Sequence, residues 1–399
     1  MKPALLAHAQ NVLAQLLTFE YPADGTLSRY FRAHPNIGHS ERGFIAETCF
    51  AILRRLRTLR ARAGGAEATP RHLLLAALAS QGHNLRELEP LLKKGEAAWF
   101  AAVKSFSGEQ LSPAERLDLP DWLYERLQAR FGEELLPLAQ SLNQPAPLDL
   151  RVNLLKTSRD AVLAALAEDG IAASAGSLSA SAIRLAGKPA LARHPLFLQG
   201  HVEVQDEGSQ LLGHMLAPRR GEKVADFCAG AGGKTLLLGM LMHNTGRLYA
   251  FDVAAKRLEK LKPRLARSGL SNVHPICLES ERDTRLKRLA GKMDRVLVDV
   301  PCSGLGTLRR NPDLKWRHSP QSIQELAARQ RDILAAAARL TRPGGHLLYA
   351  TCSLLAEENE AITNAFLAAH PDFTSREERQ FFPHTHGTDG FYARLMQRA

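Results

Sequence analysis

The sequence predicts an α/β protein: a doubly wound parallel sheet over residues 201–399, a small α+β module over 146–200, and an all-helical region over 1–145. Three observations carry this. Strand-like and helix-like segments alternate from residue 223 onward, the pattern of a parallel sheet covered on both faces. A Gly-rich turn joins the first of those strands to its helix, as at a ligand-binding sheet edge. Residues before Pro145 show helical periodicity alone, and 399 residues exceed what one core usually organises.

Near the N-terminus, Leu5–Leu17 is broken by His8, Gln10, Asn11 and Gln15, so it does not read as a signal peptide. Segment 41–62 puts Phe44, Ile45, Thr48, Cys49, Ile52, Leu53 and Leu56 on one stripe, predicting one helix stopped by Gly64-Gly65. Arg54, Arg55, Arg57, Arg60 and Arg62 near its end fit either a solvated face or a contact for a polyanion. Helices are expected over 70–80, 85–104, 121–131 and 133–143, with Pro145 and Pro147 as a linker. In the module, Leu150–Leu154 and 181–186 read as strands around a helix at 158–168 that Gly170 closes.

The sheet strands follow as Lys223–Cys228, Arg247–Asp252, Val273–Leu278, Asp294–Val300, His346–Thr351 and a closing Phe391–Leu395. Helices are expected over 234–243, 255–268, 320–340 and 357–369.

A composition of 45% hydrophobic and 23% charged residues excludes collagenous, disordered and disulfide-scaffold proteins. No run of 18 apolar residues exists to form a membrane-spanning helix, so no membrane partner is expected. Cys49, Cys228, Cys277, Cys302 and Cys352 are scattered without CxxC spacing, which argues against a metal site or disulfides and favours a reducing cytoplasm. The net charge is +11, yet residues 1–145 hold 17 basic and 15 acidic side chains, so most of the excess lies beyond them. Such a surface concentrates polyanions, nucleic acid among them.

Residues 224–235 (VADFCAGAGGKT) join the first strand to its helix. A P-loop would need Gly where Cys228 stands, and the dinucleotide fingerprint would need Gly where Thr235 stands. The pattern instead resembles the S-adenosylmethionine loop of class I methyltransferases, with Cys228, Ala229, Gly230, Ala231, Gly232, Gly233 and Lys234 as candidate cofactor residues. Asp252 ends the second strand, where an acid meets ribose hydroxyls in such sheets.

Two further strands end in cysteine: Asp299-Val300-Pro301-Cys302-Ser303-Gly304 and Thr351-Cys352-Ser353. One such cysteine is ordinary core packing, but two at neighbouring strand tips facing the cofactor turn are not. Carbon 5 of cytosine is a poor nucleophile, whereas thiolate addition at carbon 6 makes an enamine that accepts a methyl group. A base must then remove the carbon 5 proton so that the thiolate can leave. A free thiol near about pKa 8.5 is a few per cent ionised at neutral pH yet strongly nucleophilic. Lys234 is a candidate to lower that pKa, and Asp299 to stabilise the adduct.

Seven motifs make the likeness specific: VNLLKTS (152–158), VQDEGSQLLG (204–213), DFCAGAGGKT (226–235), FDVAAKRL (251–258), DVPCSGLGTLRRNPDLKW (299–316), TCSLLAEENE (351–360) and DGFYARL (389–395). The chain resembles RNA (cytosine-5) methyltransferases of the RsmB/NSUN type, and the region around 40–57 resembles their NusB-like domain. The resemblance implies that Cys352 is the nucleophile, that Cys302 assists proton removal, and that Asp299 lies between donor and base. It implies S-adenosylmethionine held by Cys228–Lys234, Asp252 and Asp299, and RNA, most specifically 16S ribosomal RNA, as partner of a cytoplasmic monomer. The family carries an Asp beside the adenine after the third strand; here Glu279, Glu281 and Asp283 compete for that place.

Residues 308–317 (LRRNPDLKWR), with Arg309, Arg310, Lys315 and Trp316, suit phosphate pairing and base stacking, or else an Arg-rich loop capping the sheet. The rival readings are a DNA cytosine-5 methyltransferase, which would use Cys302 and lack the Cys352 motif, and a non-catalytic RNA-binding assembly factor. A small-molecule methyltransferase would need neither the basic excess nor two cysteines.

Overall fold

The computed structural model describes residues 2–399 and falls into two compact units. One comprises the chain up to Pro145 together with Thr307–Pro320; the other comprises Ala146–Gly306 and Gln321–Ala399. Among the described residues no helix is long and apolar enough to cross a membrane.

The first unit is helical throughout. Its core joins Leu6, Val12 and Leu13 of helix Pro3–Leu16 to Ile45, Cys49 and Ile52 of helix His39–Arg54 and Leu73–Leu78 of helix Pro70–Ser80. The single helix expected over 41–62 is two, broken at Arg55 (φ −114°, ψ 28°) before Leu56–Arg62. The one expected over 85–104 is likewise divided: Pro90 follows its first turn, and Gly95 at φ 87° precedes Glu96–Lys104.

Three arginines of the Arg-rich helix end are tied into the unit, while Arg55 stays exposed. Arg54 donates to the Arg309 carbonyl at 3.0 Å, Arg57 to the Leu119 carbonyl at 2.8 Å and to Asp121, and Arg62 to Ser80. Segment 308–317 departs further from expectation. Lys315 is 1% exposed; its Nζ donates to the Arg54 carbonyl at 2.9 Å and to Asn143 Oδ1 at 3.1 Å. Trp316 packs on the helical core and donates Nε1–H to the Leu53 carbonyl at 2.8 Å. Burying these apolar stems gains more than a surface loop offers, and the ammonium is satisfied by carbonyls rather than phosphates.

Burial pulls the Lys315 pKa down from 10.5 to about 7, with Asp118 opposing the shift. Between those values an unfolded chain holds a proton that the buried lysine does not. Stability of this unit is therefore expected to rise as pH increases above 7, by at most about 1.4 kcal/mol per pH unit. Urea unfolding of wild type and Lys315→Met at pH 7, 8 and 9 checks this. The variant should lack this part of the slope, and identical slopes would refute the assignment.

The second unit holds two sheets. Strands β1 (Leu148–Val152), β2 (Ala173–Ala175), β3 (Ala182–Leu185) and β4 (Val202–Val204) form an antiparallel sheet in the order β2-β3-β1-β4. Helix Arg159–Glu168, capped by Ser158, packs Val162 and Leu166 onto it. Because β4 joins this sheet, the module runs past residue 200.

The large sheet takes β5 (Lys223–Asp226), β6 (Arg247–Asp252), β7 (Val273–Cys277), β8 (Met293–Asp299), β9 (Thr341–Thr351), β10 (Phe373–Phe381) and β11 (Phe391–Arg398). Their order is β10-β11-β9-β8-β5-β6-β7, parallel from β9 to β7 with β10 and β11 antiparallel. This is the predicted doubly wound fold. Val296, Val298, Leu347 and Tyr349 face helices Pro320–Ala338 and Glu360–Ala369. Leu297, Leu348 and Ala350 face helices Glu207–Leu216 and Gly233–Leu241 on the other side. Strand order reverses between β5 and β8, where the carboxyl ends part and leave a crevice.

Candidate active site

That crevice is a cavity of about 550 Å³ within the second unit. The turn after β5 forms its floor. Cys228, Ala229, Gly230, Ala231, Gly233 and Lys234 line it, as do Asp252, Asp299, Cys302 and Cys352. Gly232 does not. At φ 85° it turns toward the helix Ala255–Ser268, where a Cβ would sit 2.1 Å from Leu261 Cδ1. Its role is to let the turn pack on that helix.

Asp252 accepts the Gly230 and Ala254 N–H groups at 2.8 and 2.7 Å, so it also shapes the turn. Burial and nearby acids push the Cys228 thiol well above its ordinary pKa, which keeps it a neutral wall.

Of the three competing acids, Glu281 alone lines the cavity. Asp283 is used elsewhere: Arg285 and the Glu279 N–H hold its carboxyl well below the usual carboxylate range. Sequence reasoning missed Gln205, Ser209, Asp226, Arg257 and Arg329 on the same wall. Gln205, Ser209, Asp226 and Arg257 stood within motifs already singled out; Arg329, exposed on helix Pro320–Ala338, carried no local signal.

Asp226 is informative. It is 1% exposed, its Oδ2 accepts from Thr235 Oγ1 at 2.7 Å, and its Oδ1 has no partner. Burial, only partly offset by the Thr235 bond, raises its pKa to about 7. An orphaned carboxylate oxygen in a cavity wall suits a cationic ligand.

The two cysteine tips meet. Parallel pairing of β8 with β9 brings Cys302 Sγ and Cys352 Sγ to 3.3 Å, and the Cys352 N–H also points at Cys302 Sγ. The hydrogen bond to Cys352, then burial and the negative charge of Cys352, Glu358 and Asp299, push the Cys302 thiol well above its ordinary pKa. Lys234 Nζ donates to Asp299 Oδ2 at 2.7 Å, leaving Oδ1 open. Burial works against the ammonium, but Asp299, Cys352 and Asp226 together hold its pKa above the usual value.

Residues 213–397 match the family described as 16S rRNA methyltransferase RsmB/F, and residues 119–192 match its ferredoxin-like domain. Ribosomal RNA small subunit methyltransferase B of Sodalis glossinidius is 35% identical over 398 residues, covering 90% of this chain and 91% of that one. This chain belongs to the RsmB/F family. The Shewanella oneidensis protein of the same name is 39% identical over 291 residues, 70% of this chain and 67% of that one. The crystal structure of PH0851 superimposes with a TM-score of 0.83 at 26% identity, spanning all of this chain and 99% of that one.

The RsmB/F chain is thus an RNA methyltransferase, and S-adenosylmethionine is its cofactor. The cavity fits that molecule. Asp226 and Asp252 line it beside the Gly-rich turn, and Asp226 Oδ1 has no hydrogen-bond partner among the described residues. The family's shared motifs also acquire structural reasons. Asn153 of VNLLKTS ties the Gly200 and Ser268 carbonyls at 3.1 and 3.0 Å, joining the small sheet to the helix behind β6. Asp206 of VQDEGSQLLG caps its own helix and accepts the Asp389 N–H of DGFYARL.

Proposed function

We propose that this enzyme methylates carbon 5 of a cytosine in 16S ribosomal RNA, in the cytoplasm, through a covalent adduct between Cys352 and carbon 6. The observation that carries the reading is the Cys302–Cys352 contact at 3.3 Å on the wall of the cofactor cavity.

Burial and nearby negative charge make Cys302 hard to ionise, so the attack is assigned to Cys352, whose thiol proton passes to solvent as it becomes the nucleophilic thiolate. Bond formation between Cys352 Sγ and carbon 6 moves the base's double-bond electrons to carbon 5. Asp299, braced by Lys234, meets N3 or the exocyclic amine with its open oxygen and shares a proton there, so that negative charge does not build up on the ring. S-adenosylmethionine supplies an electrophilic methyl group on a positive sulfur. Once carbon 5 carries the methyl group, Cys302 takes the carbon 5 proton as its own thiol proton passes on to water, so it begins and ends the step as a thiol. The electrons left behind restore the double bond as the carbon–sulfur bond breaks.

Cofactor binding would rest on Asp226, Asp252, Glu281 and the turn Cys228–Lys234. Asp252→Ala is expected to weaken S-adenosylmethionine binding about ten- to a hundredfold, the loss of about 1.5–3 kcal/mol from a charge-assisted bond. Calorimetry on the folded variant checks it; unchanged affinity would remove Asp252 from the site.

Bisulfite sequencing of ribosomal RNA from cells with and without this chain tests the activity. The expected result is one protected cytosine in the small-subunit RNA that depends on the chain. Identical cytosine patterns would sink the reading.

A further inference from the structure

We propose that Glu358 is the positioning residue that holds the two cysteine loops in register. The inference rests on the reading in which Cys302 and Cys352 act on one base. Glu358 is fully buried, on the single turn Ala356–Glu358 that follows the Cys352 loop, and its side chain does not line the cavity. Four donors converge on it. Oε1 accepts the Ser303 N–H at 2.8 Å and Gln330 Nε2–H at 2.9 Å; Oε2 accepts the Ser303 hydroxyl at 2.5 Å and the Ser353 hydroxyl.

Ser303 directly follows Cys302, and Ser353 directly follows Cys352. One carboxyl group thus grips the neighbour of each reactive sulfur. Gln330 extends the grip by donating to the Pro301 carbonyl at 3.0 Å, and the Tyr349 hydroxyl fixes the Glu358 backbone by donating to its carbonyl at 2.6 Å. Among the described residues Glu358 makes no ion pair, and these neutral donors are what offsets its burial. A buried carboxyl is costly compared with an apolar residue of the same volume. Packing alone therefore does not explain it. Its bonds set the spacing of the loops, and a thiol–sulfur contact tolerates little displacement.

Two substitutions in the full-length chain separate positioning from bulk. Glu358→Gln can keep all four contacts: its Oε1 accepts the two N–H donors, and its two amide hydrogens face two hydroxyls able to rotate and accept. Glu358→Ala keeps none. The alanine variant is expected to lose about a hundredfold in kcat, the scale of a small misplacement of reacting groups, with KM for S-adenosylmethionine and RNA unchanged. Glutamine should recover most of that loss. If the alanine variant does not fold, the double variant Ser303→Ala/Ser353→Ala, which leaves the carboxyl in place, should show the same fall in kcat alone.

An alanine or double-serine variant with wild-type kcat overturns the proposal. So does a glutamine variant as slow as alanine, or a loss that appears in KM. A Cys302→Ala variant that forms no adduct with RNA would instead overturn the two-cysteine reading itself.

Discussion

Cys352→Ala is expected to abolish methyl transfer and every covalent RNA–protein species, whereas Cys302→Ala is expected to accumulate one. Removing the nucleophile of a covalent enzyme costs on the order of a million-fold in kcat. Removing Cys302 leaves attack and methyl transfer possible, because neither needs the carbon 5 proton to move. Elimination does need it, so the reaction stalls with the chain attached to methylated RNA. The two sulfurs lie 3.3 Å apart on one wall of the cavity, and burial with nearby negative charge makes Cys302 hard to ionise, which suits it to a role other than first attack. Labelled RNA, S-adenosylmethionine and a denaturing gel read the outcome. A band with Cys302→Ala, none with Cys352→Ala and none with the double variant is the expected result. An adduct formed by Cys352→Ala but not by Cys302→Ala would exchange the roles and favour the arrangement of a DNA cytosine-5 methyltransferase.

Gly306→Ala is expected to cripple the enzyme although Gly306 does not line the cavity. A Cβ there would lie 2.2 Å from the Gly390 carbonyl oxygen, 2.7 Å from its carbon and 2.9 Å from the Cys352 carbonyl oxygen. All three are backbone atoms, so no side chain can swing aside. The Gly306 N–H donates to the Cys352 carbonyl at 2.8 Å, and its own carbonyl accepts the Gly390 N–H at 2.8 Å. The methyl group must therefore push the Cys352 loop, at a cost of about 3 kcal/mol in stability, the upper range for overpacking. Activity should fall about a hundredfold even where the variant is folded, because the sulfur moves with the loop. Thermal unfolding together with kcat checks both parts. A variant with wild-type stability and rate would show that the loop has room the structure does not contain.

Much of the sheet and of the cavity lining was legible in the residues. The alternation of Val296, Leu297 and Val298, and of Leu347, Leu348, Tyr349 and Ala350, sorts side chains to opposite faces of buried strands whatever their partners are. The Gly-rich turn and the Asp and Cys residues at strand ends follow from the same pattern, since a parallel sheet brings every carboxyl end to one edge. Edge strand β10 escaped because its residues Thr374–Glu378 are polar, as suits a strand paired on one side only.

What only the tertiary structure decided are pairings across long stretches of chain. Lys315 and Trp316 look like an RNA-binding pair in sequence, but they complete a helical core built around residues more than 250 positions earlier. Local pattern reports which residues want burial, not which distant surface buries them. That Glu281 lines the cavity while Asp283 is held by Arg285 is a matter of packing that local sequence does not carry. Gly232 was assigned to the ligand because glycine in such a turn permits close approach, and the structure shows that the approaching group is Leu261. The grip of Glu358 on both cysteine loops exists only once β8 and β9 lie side by side, because Ser303 and Ser353 are 50 residues apart in the chain. Periodicity and residue chemistry are properties of a segment. Contact between segments is set by the packing that gives the whole chain its lowest free energy.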